Sequence, residues 1–123
     1  MNEATLDAAP FRLPEAPSEG ELLGKYFRAL GDPTRLRILE LLSDRELSVG
    51  ELVERLDAAQ PKVSNHLACL RWCGFVTSRR QHRSVYYRVR DERVSELVAL
   101  GRALLSRNEE HVAACQTIDG GSC

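Results

Sequence analysis

Two cysteines one helical turn apart, Cys69 and Cys73, offer this chain its most specific chemistry. Side chains at i and i+4 of a helix have β-carbons about 6 Å apart. Sulfurs on that spacing can converge on one ion at roughly 2.3 Å or a little longer. The alternative is a pair of small hydrophobic residues packed on the core or on a partner subunit. The chain holds four cysteines, and in a reducing compartment they are thiols rather than disulfides. A disulfide between adjacent turns of one helix is strained. A redox-active pair is therefore the weaker alternative to a pair of metal ligands. A cysteine hydrolase or reductase would need a base and an orienting group beside the nucleophile. No Cys-x-x-Cys occurs, so the expectation is a protein that is not an enzyme.

The cysteines lie in a segment with a second chemistry. From Ala58 to Arg90 there are Lys62, Arg71, Arg79, Arg80, Arg83, Arg88 and Arg90 and no Asp or Glu. The other ten Lys and Arg share the remainder with all 18 acids, although the whole chain has a net charge of only −1. A solvated surface usually mixes signs, whereas a single-signed stretch is what a phosphate backbone selects. The polar residues Gln60, Lys62, Ser64, Asn65 and His66 are of types that reach base edges and phosphates. With Arg79, Arg80 and Arg83 they form the candidate DNA contacts. The bland alternative is a polar surface helix that binds nothing.

Both chemistries must be held by short elements. Leu22, Leu23, Tyr26, Phe27 and Leu30 have helical spacing. Gly31 ends that helix, and Asp32-Pro33 caps and opens a second, apolar on most sides. Ser48-Val-Gly-Glu51 reads as a capping box for a third helix reaching about Leu56. After a short turn, Pro61 opens a fourth helix that Gly74 closes, and this pair of short helices matches a helix-turn-helix. At about 100° per residue, Val63, Leu67, Leu70 and Gly74 share one side. Lys62, Asn65, His66, Cys69 and Cys73 are expected on the far side. Phe75–Ser78 and Ser84–Val89 read as strands around the basic tip Arg79-Arg-Gln-His-Arg83, a wing. Asp91 caps a last helix whose stripe (Val94, Leu97, Val98, Gly101, Leu104, Leu105) exceeds what a small core needs and is a candidate dimer seam.

The chain therefore reads as mainly α with a β-hairpin wing. Residues 1–18 form an arm, 19–112 one DNA-binding and dimerisation domain, and 113–123 a tail whose end from Gln116 is expected to be disordered. A hydrophobic content of 43% suits one modest core. No apolar run reaches about 18 residues, and the first 20 residues lack the basic-then-apolar order of a signal peptide. A cytoplasmic protein is expected.

The combined motifs resemble the ArsR/SmtB family of metal-responsive repressors. The matching residues are Leu30-Gly-Asp-Pro-Thr-Arg-Leu-Arg-Ile-Leu39, Glu51-Leu52, Gln60-Pro-Lys-Val-Ser-Asn-His-Leu67, Leu70, Gly74, Phe75-Val76, Arg79-Arg80 and Tyr86-Tyr87. The resemblance spans about Glu21 to Arg107. It implies a winged helix-turn-helix homodimer joined through its first and last helices, with Leu23, Phe27, Leu97, Gly101 and Leu104 at the interface. It also implies that the metal-free dimer binds operator DNA and that metal releases it.

The family places metal in several positions. A third-helix thiol site is lost here, because the corresponding segment is Glu46-Leu-Ser-Val-Gly-Glu51. A zinc-type site on the last helices is absent or crippled, since Asp91, Glu109, Glu110 and His111 do not match its pattern. The segment Leu67-Ala-Cys-Leu-Arg-Trp-Cys73-Gly resembles the cadmium- and lead-sensing CmtR branch. There a third thiolate comes from the C-terminal region, which Cys115 matches. Cys123 is the weaker candidate, and His111 is an auxiliary ligand or a solvated residue. Three thiolates select soft ions. Cadmium and lead fit by resemblance and mercury by chemistry. Trivalent arsenic takes three thiolates in a pyramid. Zinc fits less well, since no fourth ligand is evident.

Overall fold

A computed structural model describes residues 16–119. Most of the N-terminal arm, and Cys123, lie outside the described residues. Helix α1 (Glu19–Leu30) starts at a reciprocal cap. The Ser18 N–H donates to Glu21 Oε1 at 2.8 Å, and the Glu21 N–H donates to Ser18 Oγ at 3.1 Å. Helix α2 (Pro33–Leu41) is opened by Asp32, whose Oδ1 accepts from the Thr34 and Arg35 amides at 2.8 and 3.1 Å. Strand β1 (Leu47–Ser48) leads into α3 (Val49–Leu56), which carries the expected Ser48–Glu51 box. Asp57, at φ 51, turns the chain in the left-handed region.

Helix α4 (Gln60–Trp72) closes on Gly74 at φ 83. The Phe75 amide donates to the Leu70 carbonyl and the Gly74 amide to the Arg71 carbonyl, at 2.9 and 3.1 Å. That pair of bonds needs a left-handed residue after the cap, and glycine supplies it without a steric cost. Strands β2 (Val76–Gln81) and β3 (Ser84–Val89) are antiparallel, pairing Gln81 with Ser84 and Val76 with Val89. Helix α5 (Glu92–Leu105) follows, and then α6 (Glu109–Ala114) and α7 (Gln116–Asp119).

Two elements depart from the sequence reading. The sheet has three strands, in order β1-β3-β2, because Leu47 and Ser48 pair with Tyr87 and Tyr86. A two-residue strand has too few positions to show an alternation. Residues expected to be a disordered tail from Gln116 form a short helical turn instead.

Ile38, Leu39, Leu42, Leu52, Val63, Leu67, Leu70, Phe75 and Val76 are almost completely buried, and no polar or charged residue is buried with the core among the described residues. Each large side chain of this kind contributes roughly 1.5–3 kcal/mol by leaving water. Tyr26 of α1 stacks on Phe75 with ring centroids 4.3 Å apart, which sets α1 beside the C-terminal end of α4. Among the described residues no helix is long and apolar enough to cross a membrane.

Candidate metal and nucleic-acid site

Cys69 and Cys73 are not on the far side of α4. Both are half-buried and pack against the core cluster. At about 100° per residue, Cys73 lies only some 80° from Val63, on the flank of the buried stripe rather than opposite it. That flank faces α1 and α2. The Arg35 guanidinium of α2 donates from Nη1 to Cys69 Sγ at 2.8 Å. Burial pushes the Cys73 thiol above its ordinary pKa, and the adjacent Cys69 adds to the rise. Lys25 and Arg35 oppose it. The pair therefore sits in a partly desolvated notch with two cations turned toward it.

Cys115 is half-buried at the end of α6. Among the described residues no three His, Cys, Asp or Glu side chains gather as a metal site would require. One protomer thus brings together Cys69 and Cys73 and leaves Cys115 apart. His111 is exposed.

The expected DNA contacts divide in the same way. Gln60, Lys62, Ser64 and Asn65 are exposed along the first turns of α4. His66 turns inward. Its side chain is 17% exposed and Nε2 lies 3.8 Å from Asp32 Oδ1. Burial would raise the Asp32 pKa, but the Arg35 amide, His66, the Thr34 amide and the Arg35 charge together hold that carboxyl below its usual range. An imidazole held there is less free to reach a base than its neighbours are.

In the wing, Arg80 near the end of β2 and Arg83 in the turn are both exposed, and His82 of that turn has φ 58. Arg79 is engaged instead. Its Nε and Nη2 donate to Glu46 at 2.8 and 2.6 Å, and its guanidinium lies 5.0 Å from the centroid of Tyr86. The hydrogen bond from Arg79 holds the Glu46 carboxyl below the usual range. Arg80→Ala is expected to lower the salt dependence of DNA binding by about 0.9 for each phosphate contact removed. Arg79→Ala should change the salt dependence less, because that cation is already paired. The check is DNA affinity measured across salt concentrations, and equal slopes for Arg80→Ala and wild type would take Arg80 out of the interface.

The third surface is apolar. Leu23 and Phe27 of α1 are 53% and 48% exposed, and Leu104 of α5 is 58% exposed. Leu97 packs partly on the core, and Gly101 has open space where a β-carbon would stand. Phe27, Leu97, Gly101 and Leu104 line one groove with Leu36. A contiguous apolar patch of this kind on a small domain marks an interaction surface.

The sequence reading missed Arg35, Lys25, Asp32 and Glu46. Arg35 and Cys69, and likewise Glu46 and Arg79, are more than 30 positions apart in sequence. Local spacing carries no sign of either contact.

Residues 32–78 match the bacterial regulatory protein arsR family. The chain is 43% identical over 96 residues to the "Probable mercury resistance operon repressor" of Streptomyces lividans, covering 78% of this chain and 77% of that protein. It is 43% identical over 79 residues to the HTH-type transcriptional regulator CmtR of Mycobacterium bovis, covering 64% and 65% of the two chains. The solution structure of a homodimeric winged helix-turn-helix DNA-binding domain from Mycobacterium bovis matches with a TM-score of 0.67 at 27% identity, over 80% of this chain and 95% of that one.

Proposed function

Because the chain belongs to the ArsR family of bacterial regulatory proteins, we propose that this transcriptional regulator is a homodimeric repressor that releases operator DNA when a thiophilic metal ion binds. The observation that carries the reading is the pair Cys69 and Cys73, half-buried on the helix whose first turns present Gln60, Lys62, Ser64 and Asn65. The ligands are Cys69, Cys73 and Cys115. No third donor gathers with the pair in one protomer among the described residues, and Cys115, beyond α5, is the third thiolate in this reading.

The residues fit a soft ion. Two thiols one turn apart share a notch from which water is partly excluded, and their sulfurs can converge on a single centre. Cys69 and Cys73 on α4 and Cys115 beyond α5 would hold such an ion, which would supply a link between those two parts of the fold. DNA and metal then favour different dispositions of the same elements and oppose each other by linkage. Exposed Arg80 and Arg83 of the wing hold the phosphate backbone beside the operator bases.

Cadmium or lead is the favoured effector, from the resemblance of the segment Leu67 to Gly74 to the cadmium- and lead-sensing branch of the family. Mercury is the second reading, favoured by the name of the Streptomyces lividans relative. The test is operator release titrated side by side with cadmium, lead, mercury, arsenite and zinc. The cognate ion is expected to weaken operator binding by about 5–150-fold. If none of the five releases DNA, the metal reading is wrong, and if arsenite or zinc acts at the lowest concentration, the choice of ion is wrong.

A further inference from the structure

We propose that Arg35 is a specificity-determining residue that biases the cysteine site toward divalent soft ions over trivalent arsenic. The inference rests on the metal reading above and concerns what Arg35 does toward that site.

Arg35 stands in α2, on the helix packed against α4, and donates to Cys69 Sγ at 2.8 Å. Its Nε is buried and has no hydrogen-bond partner. Among the described residues no carboxylate forms an ion pair with its guanidinium. Asp32, which feels the Arg35 charge, already accepts the Thr34 and Arg35 amides and faces His66. Arg35 is thus a partly buried cation whose side-chain hydrogen bond, among the described residues, goes to a sulfur atom. Lys25 acts on the same pair, with its charge felt at Cys73.

The charge of the product decides which ion gains from such a cation. Three thiols and a divalent ion give a three-sulfur complex of charge −1 and release three protons. Three thiols and arsenous acid give a neutral three-sulfur complex and release three waters. No electrons are exchanged in either case. A fixed positive charge against one of the sulfurs stabilises the anionic product and has little hold on the neutral one. The partly desolvated setting of the pair strengthens that difference.

The test measures cadmium and arsenite affinities of the full-length dimer by competition, using the thiolate-to-ion absorption band. Fluorescence of Trp72, the single tryptophan and the neighbour of Cys73, gives a second readout. Arg35→Gln is expected to lower cadmium affinity by about 10–100-fold, the usual effect of removing a group that supports a metal ligand. Arsenite affinity should stay nearly unchanged. Arg35→Lys keeps the charge and should keep most of the discrimination. Partial unfolding would weaken both ions together, so the ratio of the two affinities is the deciding quantity. A ratio equal to wild type in Arg35→Gln overturns the inference while leaving the metal reading intact. Absence of the absorption band in wild type with either ion overturns the metal reading as well.

Discussion

Leu104→Glu is expected to give a folded monomer that holds operator DNA poorly. Leu104 lies outside the buried core and is 58% exposed in the single chain, so the fold should tolerate the change. A seam built on α1 and α5 would lose one leucine from each copy, each worth about 1.5–3 kcal/mol when buried. It would also gain two carboxylates with no partner, at a further cost of several kcal/mol. Even the lower end of that sum, about 5 kcal/mol, weakens dimerisation by more than a thousandfold. A helix-turn-helix dimer reads two half-sites one DNA turn apart, so the monomer keeps only half of the contacts. Phe27→Glu should behave alike from the other helix. Sedimentation and circular dichroism separate monomer from unfolded chain. Monodisperse dimers from both variants would place the seam on another face.

Cys69→Ser and Cys73→Ser should each retain operator binding and lose release by the cognate ion. A hydroxyl is a poor ligand for a soft cation, so the effect is the loss of a coupling of about 1–3 kcal/mol. A wild-type weakening of about 5–150-fold should fall to near one in fluorescence-anisotropy titrations. Cys115→Ser should weaken the response, and Cys123→Ser should matter least. The two helix variants need not be identical in stability. Cys69 accepts a hydrogen bond from Arg35, whereas burial pushes the Cys73 thiol above its ordinary pKa. If both variants release DNA at the wild-type metal concentration, the ligands lie elsewhere.

Features that residues announce through their near neighbours were legible in the sequence. Asp32-Pro33 and Ser48-to-Glu51 marked helix starts because a cap is a local hydrogen bond. Val63, Leu67 and Leu70 marked the buried face of the reading helix because a helix repeats at a fixed angle. The same angle puts Cys73 and His66 beside that face, about 80° and 60° from Val63, not on the far side where the sequence reading set them. Cys73 and His66 sit at the flank of the stripe, where the surrounding helices decide whether a side chain is covered. Tyr26 on Phe75 draws α1 over Cys73, and Asp32 at the head of α2 faces His66. Neither neighbour can be inferred from spacing within α4. Arg79 was legible as basic, but its engagement by Glu46 depends on β1 pairing with β3, a contact between distant parts of the chain.

Ser48 takes part in that pairing and in a second structure. It sits opposite Tyr86 in the sheet, and its hydroxyl and amide form the reciprocal cap that starts α3. The hairpin and the first helix of the helix-turn-helix therefore meet at one residue. Fraying either one loosens a hydrogen bond of the other, so the two open as a single cooperative unit. Their slowly exchanging amides should share one opening free energy. The hairpin tip, from Arg80 to Arg83, lies beyond the pairing with β1 and should exchange faster on its own.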